Sequence, residues 1–159
     1  MKVEFDTIGI IHTPFEETSG MPIQPAAGMG VEGTVEVFEE YRDGLKDLDG
    51  FSHVILIYHF HRSRGFSLEV TPFLDTEKRG LFATRAPSRP CPIGLSIVEL
   101  ERVENDVLHI RNVDMLDGTP LLDIKPYVPE VDGNASVRIG WLEQARKRIA
   151  GKRSDDRFD

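Results

Sequence analysis

The stretch HVILIYHFH, His53 to His61, is the most apolar run in the chain, and its reading decides the fold. It is short, β-branched and aromatic, which favours a strand, and the apolar character on both sides of its pleat predicts a central one. Working outward, Val31 to Phe38 alternates strictly, with Val31, Gly33, Val35 and Val37 on one side and Glu32, Thr34 and Glu36 on the other. Val3 to His12 alternates loosely and is rich in Ile, and Leu95 to Val103, Val107 to Val113 and Leu121 to Tyr127 supply three more strands. A turn is expected at Glu104, Asn105 and Asp106. Short strands separated by Gly, Pro and Asn/Asp turns predict an all-β fold, a single compact β-barrel that is antiparallel and closed or nearly closed.

Two helical pieces complete the expectation. Glu39 to Asp47 reads as a short exposed helix before Gly50. From Ser136 to Ala150, Val137, Trp141, Ala145 and Ile149 recur every four residues, which predicts a C-terminal helix with Trp141 as its core anchor. Arg146, Lys147 and Arg148 suit the end of such a helix. A chain of 159 residues holds one ordinary domain, here residues 1–151, and the charged tail 152–159 is expected to be disordered.

Bulk properties exclude several classes. No apolar stretch approaches the roughly 18 residues that cross a bilayer, and the N-terminus carries acids where a signal peptide would be apolar. The single cysteine, Cys91, forms no internal disulfide, which fits a reducing cytoplasm. No metal spacing, phosphate loop, nucleophile elbow or dinucleotide fingerprint is present. The net charge of -8 argues against gripping nucleic acid through overall charge. The charge is uneven, however: Glu32 to Asp49 holds seven acids against two bases, and Phe60 to Pro92 holds six bases against three acids. That local basic region fits either a polyanion or an ordinary mixed surface.

Two long loops stand apart from barrel turns, Thr18 to Gly30 (TSGMPIQPAAGMG) and Arg79 to Gly94 (RGLFATRAPSRPCPIG). In the second, Pro87, Pro90 and Pro92 stiffen the backbone around Arg85 and Arg89. Guanidinium groups in set directions suit a carboxylate or phosphate, and equally suit pairing with nearby acids. In Asp114 to Tyr127, DMLDGTPLLDIKPY, Asp114 and Asp117 flank a turn and could converge on an ammonium, a ribose hydroxyl or an adenine amine. Turn chemistry for Asp117 and an ion pair of Asp123 with Lys125 is the plainer reading of the same residues. His53, His59 and His61 share one side of their strand, as a satisfied polar row or a ligand-facing one.

The blocks GLFATRAPSRPCPIGLSIVEL (Gly80 to Leu100) and DMLDGTPLLDIKPY resemble the two signature blocks of the TrmO/YaeB (TsaA-like) family of S-adenosylmethionine (SAM)-dependent methyltransferases. IGIIHTPF (Ile8 to Phe15), PIQP (Pro22 to Pro25) and LDGFSHVILIYHFH (Leu48 to His61) occur in the family's order, so the resemblance runs from Ile8 to Tyr127. It implies a single barrel that dimerises, binds SAM near the subunit interface, and methylates N6 of threonylcarbamoyladenosine beside the tRNA anticodon. Carried onto this chain, the SAM site would take Gln24 and Pro25 from the first loop and His61 and Arg62 from the end of the central strand. Arg85, Arg89 and Leu95 would come from the arginine-proline block, and Asp114, Met115, Leu116 and Asp117 from the turn. No residue is singled out as the general base. Ile23 stands where the family usually has Arg, and Cys91 where it usually has Asn. A methyltransferase with a small-molecule acceptor and a non-catalytic SAM-sensing module are the alternatives.

Overall fold

A computed structural model describes residues 1–21, 29–134 and 136–145. Six strands form a closed barrel: β1 (Gly9–His12), β2 (Glu32–Val37), β3 (His53–His59), β6 (Ile93–Glu104), β7 (Val107–Arg111) and β8 (Thr119–Pro126). Around the barrel the order is β1-β2-β7-β6-β3-β8, and every pairing is antiparallel. All six correspond to the strands expected from the sequence. Two further two-residue strands, β4 (Glu69–Val70) and β5 (Arg79–Gly80), form a separate small ribbon within the long connection from β3 to β6.

Alternation explains the closure. Val35 and Val37 of β2, Val54 and Leu56 of β3, Val98 of β6, and Leu108 and Ile110 of β7 point inward and are buried almost completely. Closing the sheet removes its edges, so every barrel strand has two hydrogen-bonded neighbours. β6 and β7 join through Asn105 and Asp106, and Asn105 takes a positive φ of 56°, which Asn tolerates better than most residues. The turn lies where the sequence places it.

The helical expectations need correction. Glu39–Leu45 and Leu48–Gly50 are 3-10 turns rather than one α-helix, and the left-handed Asp47 (φ 67°) separates them. Segments this short gain little from an α-helical ladder. The C-terminal helix does not begin at Ser136. Gly140 adopts φ 56° within the expected span, Val137 is exposed, and among the described residues of that span Gly140–Glu143 alone is helical, as a 3-10 turn. Trp141 therefore anchors no helix in the barrel core. Residues 146–150 and the tail 152–159 lie outside the described residues, as do Gln24 and Pro25.

Candidate functional site

Central strand β3 lies between β6 and β8, and its C-terminal end meets the N-terminal ends of both. A register shift between Ile57 and Tyr58 marks a bulge against β8, the kind of irregularity that re-aims a side chain. Beyond β3, Phe60 N–H donates to the Pro92 carbonyl (2.8 Å), which fastens the proline-rich block to the end of the strand. A cavity of about 670 Å³ opens at this corner, within the size range of small-molecule sites. Aromatic and aliphatic side chains such as Phe60, Phe73, Trp141 and Leu142 make much of its wall.

His61, Arg62, Arg85, Arg89, Leu95, Asp114, Met115 and Leu116, eight of the expected site residues, line this one cavity. They come from three separate segments of the chain. Asp117 is not in its lining. Its Oδ1 accepts from Thr13 N–H (3.1 Å), and its own N–H donates to the Phe15 carbonyl (2.7 Å), so it stitches the turn to the β1 exit. The plainer reading of Asp117 as turn chemistry matches this geometry. Lys125 likewise pairs with Asp123 at 2.7 Å, on the surface. The histidines separate too: His61 lines the cavity, whereas His53 lies at the far end of β3, against Ser52 and the ring of Tyr127.

The two arginines do different things. Arg89 donates from Nη1 to the carbonyls of Thr84 (2.9 Å) and Ala86 (3.2 Å), and lies over the Phe82 ring. It holds its own loop in shape. Arg85 is exposed at the cavity and, among the described residues, makes no hydrogen bond or ion pair. Arg62 is spent differently again, donating to the Glu16 carbonyl at 2.8 Å. Burial and the neighbouring Arg62 push His61 below its usual pKa, so its imidazole is neutral at pH 7.

The polar heart of the cavity is Asp114. Ser96 Oγ donates to its Oδ1 at 2.6 Å, and the buried hydroxyl of Tyr58 lies 2.8 Å from that Ser96 Oγ. Burial raises the Asp114 carboxyl from 3.8 to about 7, although Ser96 and Arg85 pull the other way. Burial also pushes Tyr58 well above its ordinary range, so it remains a phenol. Among the described residues Asp114 has no ion-pair partner. A half-buried carboxyl that makes no ion pair among the described residues, beside an apolar wall, fits a ligand carrying a sulfonium or ammonium next to a flat ring, as SAM does. Among the described residues no group of three or more His, Cys, Asp or Glu is placed to hold a metal ion.

Tyr58, Ser96 and Trp141 are the site residues that sequence reasoning missed. Trp141 lines the cavity and donates from Nε1 to the Ala83 carbonyl (2.9 Å), with the Arg79 guanidinium 5.7 Å from its ring centroid. Tyr58 and Ser96 did carry a signal: each is a polar group at an inward position of an otherwise apolar alternation.

A closed six-stranded barrel with a largely apolar cavity, lined also by Arg62, Arg85, Arg89 and the carboxyl of Asp114, is a small-molecule-binding barrel. The profile of the family described as the tRNA-methyltransferase O N-terminal domain matches residues 10–133. A probable S-adenosyl-L-methionine-binding protein of Pyrococcus abyssi is 58% identical over 95% of this chain and 82% of its own length. The tRNA (adenine(37)-N6)-methyltransferase of Escherichia coli is 35% identical over 89% of this chain and 65% of its own. The crystal structure of TrmO from Pseudomonas aeruginosa superposes with a TM-score of 0.75 at 38% identity, covering 89% of this chain and 63% of that one. The chain belongs to the TrmO family of SAM-dependent methyltransferases. It spans just under two thirds of the Escherichia coli and Pseudomonas aeruginosa proteins.

Proposed function

We propose that the protein transfers the methyl group of SAM to N6 of threonylcarbamoyladenosine in tRNA, next to the anticodon. The observation that carries this reading is the presence, in one cavity, of the half-buried Asp114 carboxyl, which makes no ion pair among the described residues, and the exposed guanidinium of Arg85, which makes no hydrogen bond or ion pair among them. The first suits the positive donor, and the second suits an acceptor that brings a carboxylate. The named activity of the Escherichia coli relative points the same way.

The donor supplies an already activated methyl group. What the protein contributes is alignment of the acceptor nitrogen, exclusion of water and management of one proton. Phe60, Phe73, Trp141 and Leu142 offer the apolar wall, and the tied loop around Arg89 fixes where Arg85 reaches. Gln24 and Pro25 belong to the same proposed SAM site by family resemblance. With a net charge of -8, affinity for RNA rests on specific contacts in the basic segment rather than on a general field. Such an enzyme works in the cytoplasm, where its tRNA is.

The working form is a homodimer. Ile55 and Ile57 of β3 pair in register with Ile97 and Leu95 of β6, which sets four aliphatic side chains together on the outer face of the barrel. Leu95 is 46% exposed and also reaches the cavity, so a second copy covering this face would border the site.

The test incubates the protein with labelled SAM and tRNA from cells with or without the threonylcarbamoyl pathway. Labelling confined to the first pool supports the reading. Equal labelling of both pools, or of neither, overturns it and favours a small-molecule acceptor.

A further inference from the structure

A barrel interior built from Val, Leu and Ile carries one continuous polar chain. Tyr58 of β3 and Ser96 of β6 are both buried, and the chain they form ends on Asp114 at the cavity wall. With the carboxylate as terminal acceptor the direction is fixed: Ser96 gives its only proton to Asp114, and Tyr58 gives its proton to Ser96. A buried network of this kind is costly unless each member is satisfied, and here Asp114 makes no ion pair among the described residues. The charged group acting on it from the packed segments is Arg85, and Arg62, Arg89 and the neutral His61 also line the cavity.

We propose that Asp114 is the proton acceptor for the methyl-accepting nitrogen, and that Ser96 and Tyr58 are positioning residues that hold its carboxylate toward the cavity. The proposal rests on the methyl-transfer reading above. In the step, the acceptor nitrogen forms its bond to the methyl carbon while its N–H bond breaks. The proton passes to the Asp114 carboxylate, and the electron pair of the breaking S–CH3 bond stays on the donor sulfur. Charge bookkeeping favours this choice. Of the reacting groups, the site begins with one sulfonium and one carboxylate and ends with a neutral thioether and a neutral carboxylic acid. Neither charge is left stranded in a low-dielectric cavity. A carboxyl whose proton affinity is lifted by burial to near neutrality also matches the weakly acidic N6–H of an acylated adenosine.

The same arrangement makes a prediction that needs no acceptor. A sulfonium beside Asp114 favours its carboxylate, so binding SAM near pH 6.5 releases protons, whereas binding neutral S-adenosylhomocysteine releases none through this residue. Calorimetry of the whole chain in buffers of different ionisation enthalpy reads this directly. The wild type is expected to release a substantial fraction of one proton with SAM, and Asp114→Asn none with either ligand. In turnover, Asp114→Asn is expected to lose about 10²- to 10⁴-fold, the usual worth of a general base. Ser96→Ala removes a hydrogen bond that lowers the Asp114 pKa, so the acid limb of its kcat profile moves to higher pH, and Ser96→Thr restores it. Equal proton release by wild type and Asp114→Asn overturns the proposal whatever the acceptor proves to be. So does an Asp114→Asn variant that turns over like the wild type. A wild type that labels no tRNA but shows Asp114-dependent proton release counts against the tRNA reading alone.

Discussion

Gly94 lies directly across the β3–β6 pairing from Tyr58, and the Tyr58 ring fills the space that any side chain at Gly94 would need. A methyl group there would run into the Tyr58 ring and press on Phe60. The missing side chain at Gly94 is what lets the Tyr58 ring lie across β6 with its hydroxyl on Ser96, two residues further along the strand. Gly94→Ala is therefore expected to cost about 1 to 3 kcal/mol of stability through overpacking. It should also lower turnover, because the displaced ring no longer supports Ser96. Chemical denaturation and a steady-state assay of the same variant check both effects; a variant with wild-type stability would show that the strands adjust freely.

Stability should depend on pH through Asp114. Its carboxyl binds its proton more tightly in the folded protein, about 7 against an unfolded 3.8. Between those values the folded state holds more protons than the unfolded one, so this residue makes stability fall as pH rises through that window. At ~1.4 kcal/mol per tenfold in proton affinity, the full effect is about 4 kcal/mol above pH 7. Asp114→Asn should remove it. Denaturation of both proteins at pH 5 and pH 8 compares them, and the variant should gain relative stability at pH 8.

Arg85 and Arg89 should part company on mutation. Arg89→Ala breaks two hydrogen bonds that shape the loop and is expected to cost about 1 to 3 kcal/mol of stability as well as activity. Arg85→Ala breaks no hydrogen bond or ion pair among the described residues and should change stability by under about 0.5 kcal/mol. Its transition-state binding should fall by about 1.5 to 3 kcal/mol, read as kcat/KM. Wild-type kcat/KM in Arg85→Ala would remove this residue from the site.

Most of the barrel was legible because strand alternation is a local signal with one physical cause, burial of one face. Val35 and Val37 alternate with charged or polar neighbours and are interior, as that pattern requires. The C-terminal segment was not, because the four-residue spacing of Val137, Trp141 and Ala145 says nothing about the backbone at Gly140. The site residues were legible through family resemblance, but their division of labour was not. Whether Arg85 or Arg89 is satisfied by backbone carbonyls, or whether Asp117 faces the cavity or the Thr13 amide, depends on tertiary placement. The link from Tyr58 through Ser96 to Asp114 joins positions 38 and 18 residues apart and has no sequence spacing to betray it.

Trp141 should matter to the ligand more than to the barrel. It closes the cavity from outside the β-sheet and is held by one hydrogen bond to Ala83. Trp141→Ala is expected to weaken SAM binding about tenfold or more by removing a broad apolar wall, with the barrel still folded. Calorimetry and circular dichroism on one sample separate the two; unchanged affinity would place the donor elsewhere.

The chemical identity of the product decides whether this protein methylates N6 of threonylcarbamoyladenosine. Threonylcarbamoylated tRNA would be incubated with the protein and SAM, digested to nucleosides and analysed by mass spectrometry with fragmentation. A threonylcarbamoyladenosine one methyl heavier, with the added methyl on N6, is expected, and no such nucleoside from the Asp114→Asn reaction over the same time. A methyl group found on another atom, or tRNA recovered unmodified while SAM is bound, would contradict it.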